Sequence, residues 1–209
     1  MVNQAVQMTS TTLIDLMRHG EPVGGKRYRG GGVDDPLSEK GWAQMRAAVD
    51  DHHPWQHIVT SPMQRCAAFA QELGGRWQIP VAVEERFREV AFGVWEGKTA
   101  HEIGRDDPHR IRNFRLDPES WRPEGAEALG AFADRIQAGW ESLLERHAGG
   151  HVLVVAHAGV IRMTLALAMG IPQTHIYRIQ VDNAGLSRIK VEGSGEERLT
   201  TLEFHGGSL

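Results

Sequence analysis

His151-Val152-Leu153-Val154-Val155-Ala156 is an almost unbroken apolar run rich in valine. A strand with one wet face alternates apolar and polar residues. A run without alternation belongs to a central strand covered on both faces, the kind found in parallel sheets whose crossovers are helices. Just upstream, Gly149-Gly150 ends a helical stripe read from Glu124 to His147, whose apolar face is Leu129, Phe132, Ile136, Trp140, Leu143 and Leu144. Just downstream, Val160 to Met169 reads as another helix. Nearer the amino terminus, Leu13 to Met17 forms a first strand that stops at Arg18-His19-Gly20-Glu21-Pro22. Ser38 caps a helix carrying Trp42, Met45 and Val49 at helical spacing, and His57 to Thr60 is a short buried strand. Ser61-Pro62 opens a helix from Met63 to Leu73, closed by Gly74-Gly75, and Ile79 to Val83 is a further strand. Tyr177 to Val181, Leu186 to Val191 and Leu199 to Phe204 read as strands towards a sheet edge. Strands alternating with helices predict a three-layer α/β/α sandwich with a mostly parallel central sheet. The 209 residues suit a single domain, 1–209, with an irregular, cap-like insertion at about 90–123 covering the site.

Bulk composition narrows the function classes. With 41% hydrophobic and 24% charged residues, a formal net charge of -4 and a pI near 6.3, the chain offers no basic field for a nucleic-acid backbone, so no nucleic-acid partner is expected. The single cysteine, Cys66, sits among Ala67, Ala68 and Phe69 and reads as a small buried hydrophobe. Met1 to Thr12 is polar and uncharged, without the basic start and apolar run of a secretory signal, and no apolar stretch is long enough to span a bilayer. The expectation is a cytoplasmic protein without a membrane partner.

In an open α/β sheet, ligands sit outside the carboxyl ends of the strands. His19 follows the first strand directly and His157 follows Ala156, so one topology could bring them face to face. Arg18 flanks the first, and Arg65 lies one turn into the helix after another strand. Two guanidiniums in a concave site make fork-like, charge-assisted bonds to phosphate oxygens. An imidazole attacks phosphorus only through an unprotonated nitrogen, and neighbouring arginines oppose its protonation. A backbone carbonyl would fix the tautomer, which the turn at Gly20 permits. Expulsion of an alkoxide needs a proton donor, and Glu89 is placed to reach over the pocket. A carboxyl beside a phosphate dianion favours its protonated form, as that step requires.

Five blocks, Leu16-Met17-Arg18-His19-Gly20-Glu21-Pro22, Asp34-Asp35-Pro36-Leu37-Ser38-Glu39-Lys40-Gly41, Thr60-Ser61-Pro62-Met63-Gln64-Arg65, Arg88-Glu89-Val90-Ala91-Phe92-Gly93-Val94-Trp95-Glu96-Gly97 and Val155-Ala156-His157-Ala158-Gly159-Val160-Ile161-Arg162, resemble in order the signature of the histidine phosphatase, or phosphoglycerate mutase-like, superfamily. The resemblance implies that His19 is the phosphorylated nucleophile, Arg18 and Arg65 phosphate ligands, His157 a further phosphate-pocket residue and Glu89 the proton donor. It implies no metal and no cofactor. Several members carry an asparagine six residues beyond the nucleophile, where Gly25 stands here; a backbone amide of the glycine loop or Arg29 would take its role. Phe92 to Gly97 resembles the phosphatase branch, and residues 24–42 look most like the α-ribazole phosphatase type of cobalamin assembly. The partner expected is a small phosphomonoester, with a homodimer left open. Mutase-type transfer and a non-catalytic phospholigand-binding module are the alternatives.

Other signals have plainer readings. Glu96 is a second candidate donor. His52, His53 and His57 lie between a helix and a strand without a supporting cysteine or paired carboxylates, which favours solvated loop residues over a metal cluster. Trp95, Trp121 and Phe114 either line a pocket for a ring-bearing leaving group or pack the insertion. Arg105, Arg110, Arg112 and Arg115 either reach a second anionic group or form a solvated face.

Overall fold

The structure, a computed structural model, describes residues 10–207, so most of the polar stretch at Met1 to Thr12 lies outside the described residues. Among the described residues, six strands form one sheet: β1 (Thr11–Arg18), β2 (His57–Thr60), β3 (Val81–Val83), β4 (His151–Ala156), β5 (Leu186–Glu192) and β6 (Leu199–Gly207). Their order is β3-β2-β4-β1-β5-β6. The first four strands are mutually parallel, while β5 and β6 extend one side antiparallel.

Residues 152–156 of β4 are essentially unexposed, and their alternation builds the layers. Val152, Val154 and Ala156 face a core shared with helices α5 (Leu129–Arg146) and α6 (Ala158–Met169). Leu153 and Val155 face the opposite core, against α1 (Glu39–Val49) and α2 (Gln64–Trp77). Each such leucine or valine contributes roughly 1.5–3 kcal/mol by burial, so β4 stabilises both layers at once.

Several expected elements differ. Helix α5 starts at Leu129 instead of Glu124, because Gly125 adopts a φ of 72° and Ala126 bridges Phe92. Helix α2 runs through Gly74-Gly75 to Trp77, where left-handed Gln78 caps it. Gly74 is a close-approach residue instead of a stop, since a Cβ there would overlap Val81 and the Ile79 carbonyl. The strand expected at Ile79 to Val83 begins only at Val81, after Pro80. Tyr177 to Val181 forms no strand: residues Gln173–Arg178 make a 3₁₀ turn, and the carbonyls of Ile179 and Val181 accept hydrogen bonds from Arg162 and Arg18 side chains.

The segment expected as an insertion holds two short helices, α3 (Ala100–Ile103) and α4 (Arg110–Leu116). Phe114 is fully buried and packs edge-on against Phe92 and Trp95. Trp95 and Phe114 therefore pack the segment, and Trp121 is 45% exposed, away from the main cavity. The glycine loop after β1 docks onto this segment through Tyr28, whose N–H donates to Lys98 O and whose carbonyl accepts from Gly97 N–H.

Candidate active site

Sheet register dictates where the histidines go. Arg18 pairs with Ala156 at the carboxyl ends of adjacent parallel strands, and His19 N–H donates to Ala156 O at 3.0 Å. The next residues, His19 and His157, thus emerge side by side, their rings edge to face with centroids 5.2 Å apart. Thr60 pairs with Val155 on the other side of β4, which sets Ser61 beside His157. Helix α2 starts three residues later and carries Arg65 in its first turn.

His19 is 6% exposed, and its Nδ1 lies 2.7 Å from Gly20 O. A carbonyl oxygen only accepts, so Nδ1 carries the hydrogen and the neutral ring keeps its lone pair on Nε2. Burial, then the charges of Arg18 and Arg65, hold the imidazole well below its ordinary pKa, outweighing the opposing pull of the Gly20 carbonyl. Gly20 is required here because a side chain would overlap the Gly41 backbone at the start of α1. The His19 carbonyl accepts from Asn183 Nδ2 at 3.2 Å, anchoring the turn to the loop before β5.

His157 is fully buried behind His19, with Ser61 Oγ 2.7 Å from its Nε2. Burial and the Arg65 charge push its pKa well below the ordinary value. It touches His19 but is not among the residues that line the cavity. Cys66 Sγ lies 3.6 Å from the same nitrogen, and burial pushes that thiol up, away from thiolate chemistry.

Arg65, 1% exposed, is steered by carbonyls of the glycine loop: its Nη1 donates to Val33 O at 3.0 Å and its Nη2 to Gly30 O at 3.2 Å. Arg18 donates from Nη1 to Val181 O, and burial, then the Arg162 charge, depress it to about 10. The Nε atoms of Arg18 and Arg65 are both buried without a protein partner. Arg29, 7% exposed, directs all three guanidinium nitrogens to its own loop, on Asp35, Gly25 O and Val23 O. It therefore folds the loop around Gly25 as well as lining the cavity.

Glu89, 9% exposed, accepts from Val90 N–H at 3.0 Å through Oε1 and from Gly159 N–H at 3.1 Å through Oε2. The second bond fixes the carboxylate to the first turn of α6, two residues beyond His157. A clamp holds the backbone of the same loop. Arg135 of α5 donates to Arg86 O at 2.6 Å, Arg88 O at 2.7 Å and Glu89 O at 3.4 Å, while Glu127 grips its guanidinium at 2.6 and 2.8 Å. Glu96, the other candidate donor, accepts from Phe92 N–H beneath the glycine loop and does not line the cavity.

Arg18, His19, Arg65 and Glu89 line one cavity of about 590 Å³. Sequence reading missed several of its walls. Arg162 enters the sequence reading only within a motif, Tyr177 and Arg178 only within an expected strand, and Tyr28 only within the glycine-rich run; all four line the cavity. Of the arginines in the 90–123 segment, only Arg115 does. His53 stacks on Trp77 and His57 on His147, and among the described residues no three histidine, cysteine, aspartate or glutamate side chains could share a metal ion. Among the same residues no helix is long and apolar enough to cross a membrane.

Comparison with known proteins establishes the family. A bifunctional protein of Mycobacterium tuberculosis is 32% identical over 151 residues, which is 70% of this chain and 41% of that protein, so the chain spans under half of that relative. Phosphoserine phosphatase 1 of Hydrogenobacter thermophilus is 30% identical over 146 residues, 67% of this chain and 68% of its own length. The solved structure of a mycobacterial glucosyl-3-phosphoglycerate phosphatase superposes with a TM-score of 0.84 at 27% identity, over 94% of this chain and 99% of that one. With the model of the histidine phosphatase superfamily (branch 1) matching residues 14–203, the chain belongs to that superfamily.

Proposed function

We propose that the chain is a phosphomonoester hydrolase that acts through a phosphohistidine on His19 and needs no metal. The observation that carries this reading is the 2.7 Å contact between His19 Nδ1 and Gly20 O, which leaves Nε2 as the lone-pair nitrogen of a buried ring flanked by arginines. Kinship with proteins named as phosphatases supports the class of reaction.

In the first half-reaction, His19 Nε2 attacks phosphorus as the ester P–O bond breaks opposite it. Arg18 and Arg65 hold the equatorial oxygens, whose charge they offset without rearranging, because loop carbonyls already fix both guanidiniums. Glu89 delivers its proton to the departing alkoxide oxygen. In the second half, ionised Glu89 takes a proton from water, water oxygen attacks phosphorus, and the P–N bond breaks to return neutral His19 and inorganic phosphate. His157 acts from behind, where its contact with Ser61 and its edge against the His19 ring fix the nucleophile's plane.

A small phosphorylated metabolite suits the cavity size, and the resemblance of residues 24–42 makes α-ribazole phosphate one candidate to test. The test is hydrolysis of p-nitrophenyl phosphate with chelator present, comparing native protein with His19→Ala. The reading expects phosphate release by the native chain and a loss of at least 10³-fold in the variant, the scale of removing a covalent nucleophile. Retained activity in His19→Ala removes the nucleophile, and no turnover of any phosphoester by the native chain favours a binding module. Isomerisation of phosphoglycerates outpacing phosphate release would make the chain a mutase.

A further inference from the structure

The proposed chemistry leaves the far wall of the cavity without a role. Arg162 lies on α6 three residues beyond Gly159, hence on the same helix face and one turn from the amide that holds Glu89. Its Nε donates to Ile179 O at 2.8 Å, and its guanidinium carbon sits 5.6 Å from the centroid of the Tyr177 ring. Among the described residues its two terminal nitrogens have no hydrogen-bond or ion-pair partner, yet they are not sealed off, and the residue lines the cavity. The Tyr177 hydroxyl likewise has no partner among the described residues, although the ring packs against Phe114 and the residue lines the same wall. A guanidinium anchored through Nε, with its fork turned into a cavity, is preorganised for a planar anion.

Charge balance points the same way. Eight cationic side chains and three acidic ones line the cavity, an excess of five, of which Asp35 behind the loop offsets one through Arg29. A transferring phosphoryl dianion offsets two more. The surplus includes Arg162 and Arg115, neither of which is assigned to the phosphoryl group.

We propose that the Arg162 fork and the Tyr177 hydroxyl form a second anion site, which receives an acidic group carried by the leaving group of the substrate. The preferred substrates are then phosphorylated hydroxy acids or compounds with a second phosphate, in preference to esters of neutral alcohols and nucleosides. This rests on the hydrolase reading above, though not on α-ribazole phosphate, whose nucleoside leaving group bears no acid.

The experiment compares kcat/KM of the native chain for 3-phosphoglycerate and its methyl ester, with p-nitrophenyl phosphate, α-ribazole phosphate and a sugar bisphosphate alongside. One charge-assisted contact corresponds to a preference for the acid over its ester of roughly tenfold to a hundredfold. Arg162→Met brings that ratio to within about threefold of unity, chiefly through the KM of the acid, and Arg162→Lys restores part of it. The bisphosphate arm tells whether carboxylate or phosphate suits the site better. A native chain that hydrolyses p-nitrophenyl phosphate but handles acid and ester alike, or prefers α-ribazole phosphate, overturns the inference and leaves the hydrolase reading intact. Loss of both activities in equal proportion in Arg162→Met, with the melting temperature lowered, assigns Arg162 a structural role and also overturns it. A native chain inert to every phosphoester removes the hydrolase reading and this inference together.

Discussion

Gly159→Ala isolates the proton donor. Gly159 donates its amide to Glu89 Oε2, and a Cβ built there overlaps Oε1 of the same carboxylate while crowding Val90 Cγ1 at 3.1 Å. The carboxylate must retreat by roughly 1 Å to regain the ~3.5 Å of ordinary contact. A misplacement of about 1 Å costs on the order of 10²-fold in rate, or ~2.7 kcal/mol of barrier, within the ~10²–10⁴-fold that a general acid supplies. Because a poor leaving group depends on that proton and p-nitrophenolate scarcely does, the loss should fall mainly on alkyl esters. The assay is kcat/KM for glycerol phosphate and for p-nitrophenyl phosphate, native against variant, with a thermal melt of each. The helical preference of alanine over glycine, about 1 kcal/mol, offsets part of the cost of that overlap, so the melt should shift little. Equal losses on both esters, or glycerol phosphate activity within threefold of native, would refute the placement of Glu89 as acid.

Three further outcomes follow from the same geometry. Arg135→Met releases the carbonyls of residues 86, 88 and 89, and kcat for alkyl esters should fall about tenfold or more with little change in KM; a change confined to KM contradicts a positioning role. Asp15 is fully buried, and although burial opposes its ionisation, hydrogen bonds from His151, Arg188 and Trp55 lower its pKa. Asp15→Ala leaves a half-buried guanidinium and a buried indole N–H unpaired, so urea unfolding should show a loss of about 3–5 kcal/mol, and a loss under 1 kcal/mol would contradict it. His19 and His157 are held below the ordinary imidazole pKa, so the unfolded chain takes up protons that the folded one refuses. Their contribution is intact above about pH 6.5 and declines as pH falls below it, by up to ~1.4 kcal/mol per pH unit for each ring. Stability measured from pH 7 to 5 should therefore slope less steeply in His157→Asn than in the native chain.

The parts of the fold visible in the sequence are those decided by burial on both faces. Val152 to Ala156 could only be a central strand, and the register of β1 against β4 then forces His19 and His157 together. What escaped was decided by distant contacts. Residues Glu124 to Ala128 carry no helix breaker stronger than Gly125, yet Gly93 presses its backbone against them and draws Ala126 into a bridge with Phe92. Tyr177 to Val181 alternates like a strand, but its carbonyls answer to Arg18 and Arg162. For the same reason Arg162 and Tyr177 were unreadable as cavity walls: their role depends on α6, the 3₁₀ turn and Glu89 meeting at one point. The Glu89 assignment was readable, whereas its support by Gly159 and Arg135 was not, because neither bond is local in sequence.

Nitrogen-linked phosphate is what the account stands on. Rapid mixing of the native protein with radiolabelled substrate, quenching in alkali and mapping the label by peptide mass spectrometry tests it directly. The account predicts an acid-labile phosphoryl group on Nε2 of His19, formed and lost at rates that match turnover. Steady hydrolysis with no label on the protein, or label on any other residue, would contradict it.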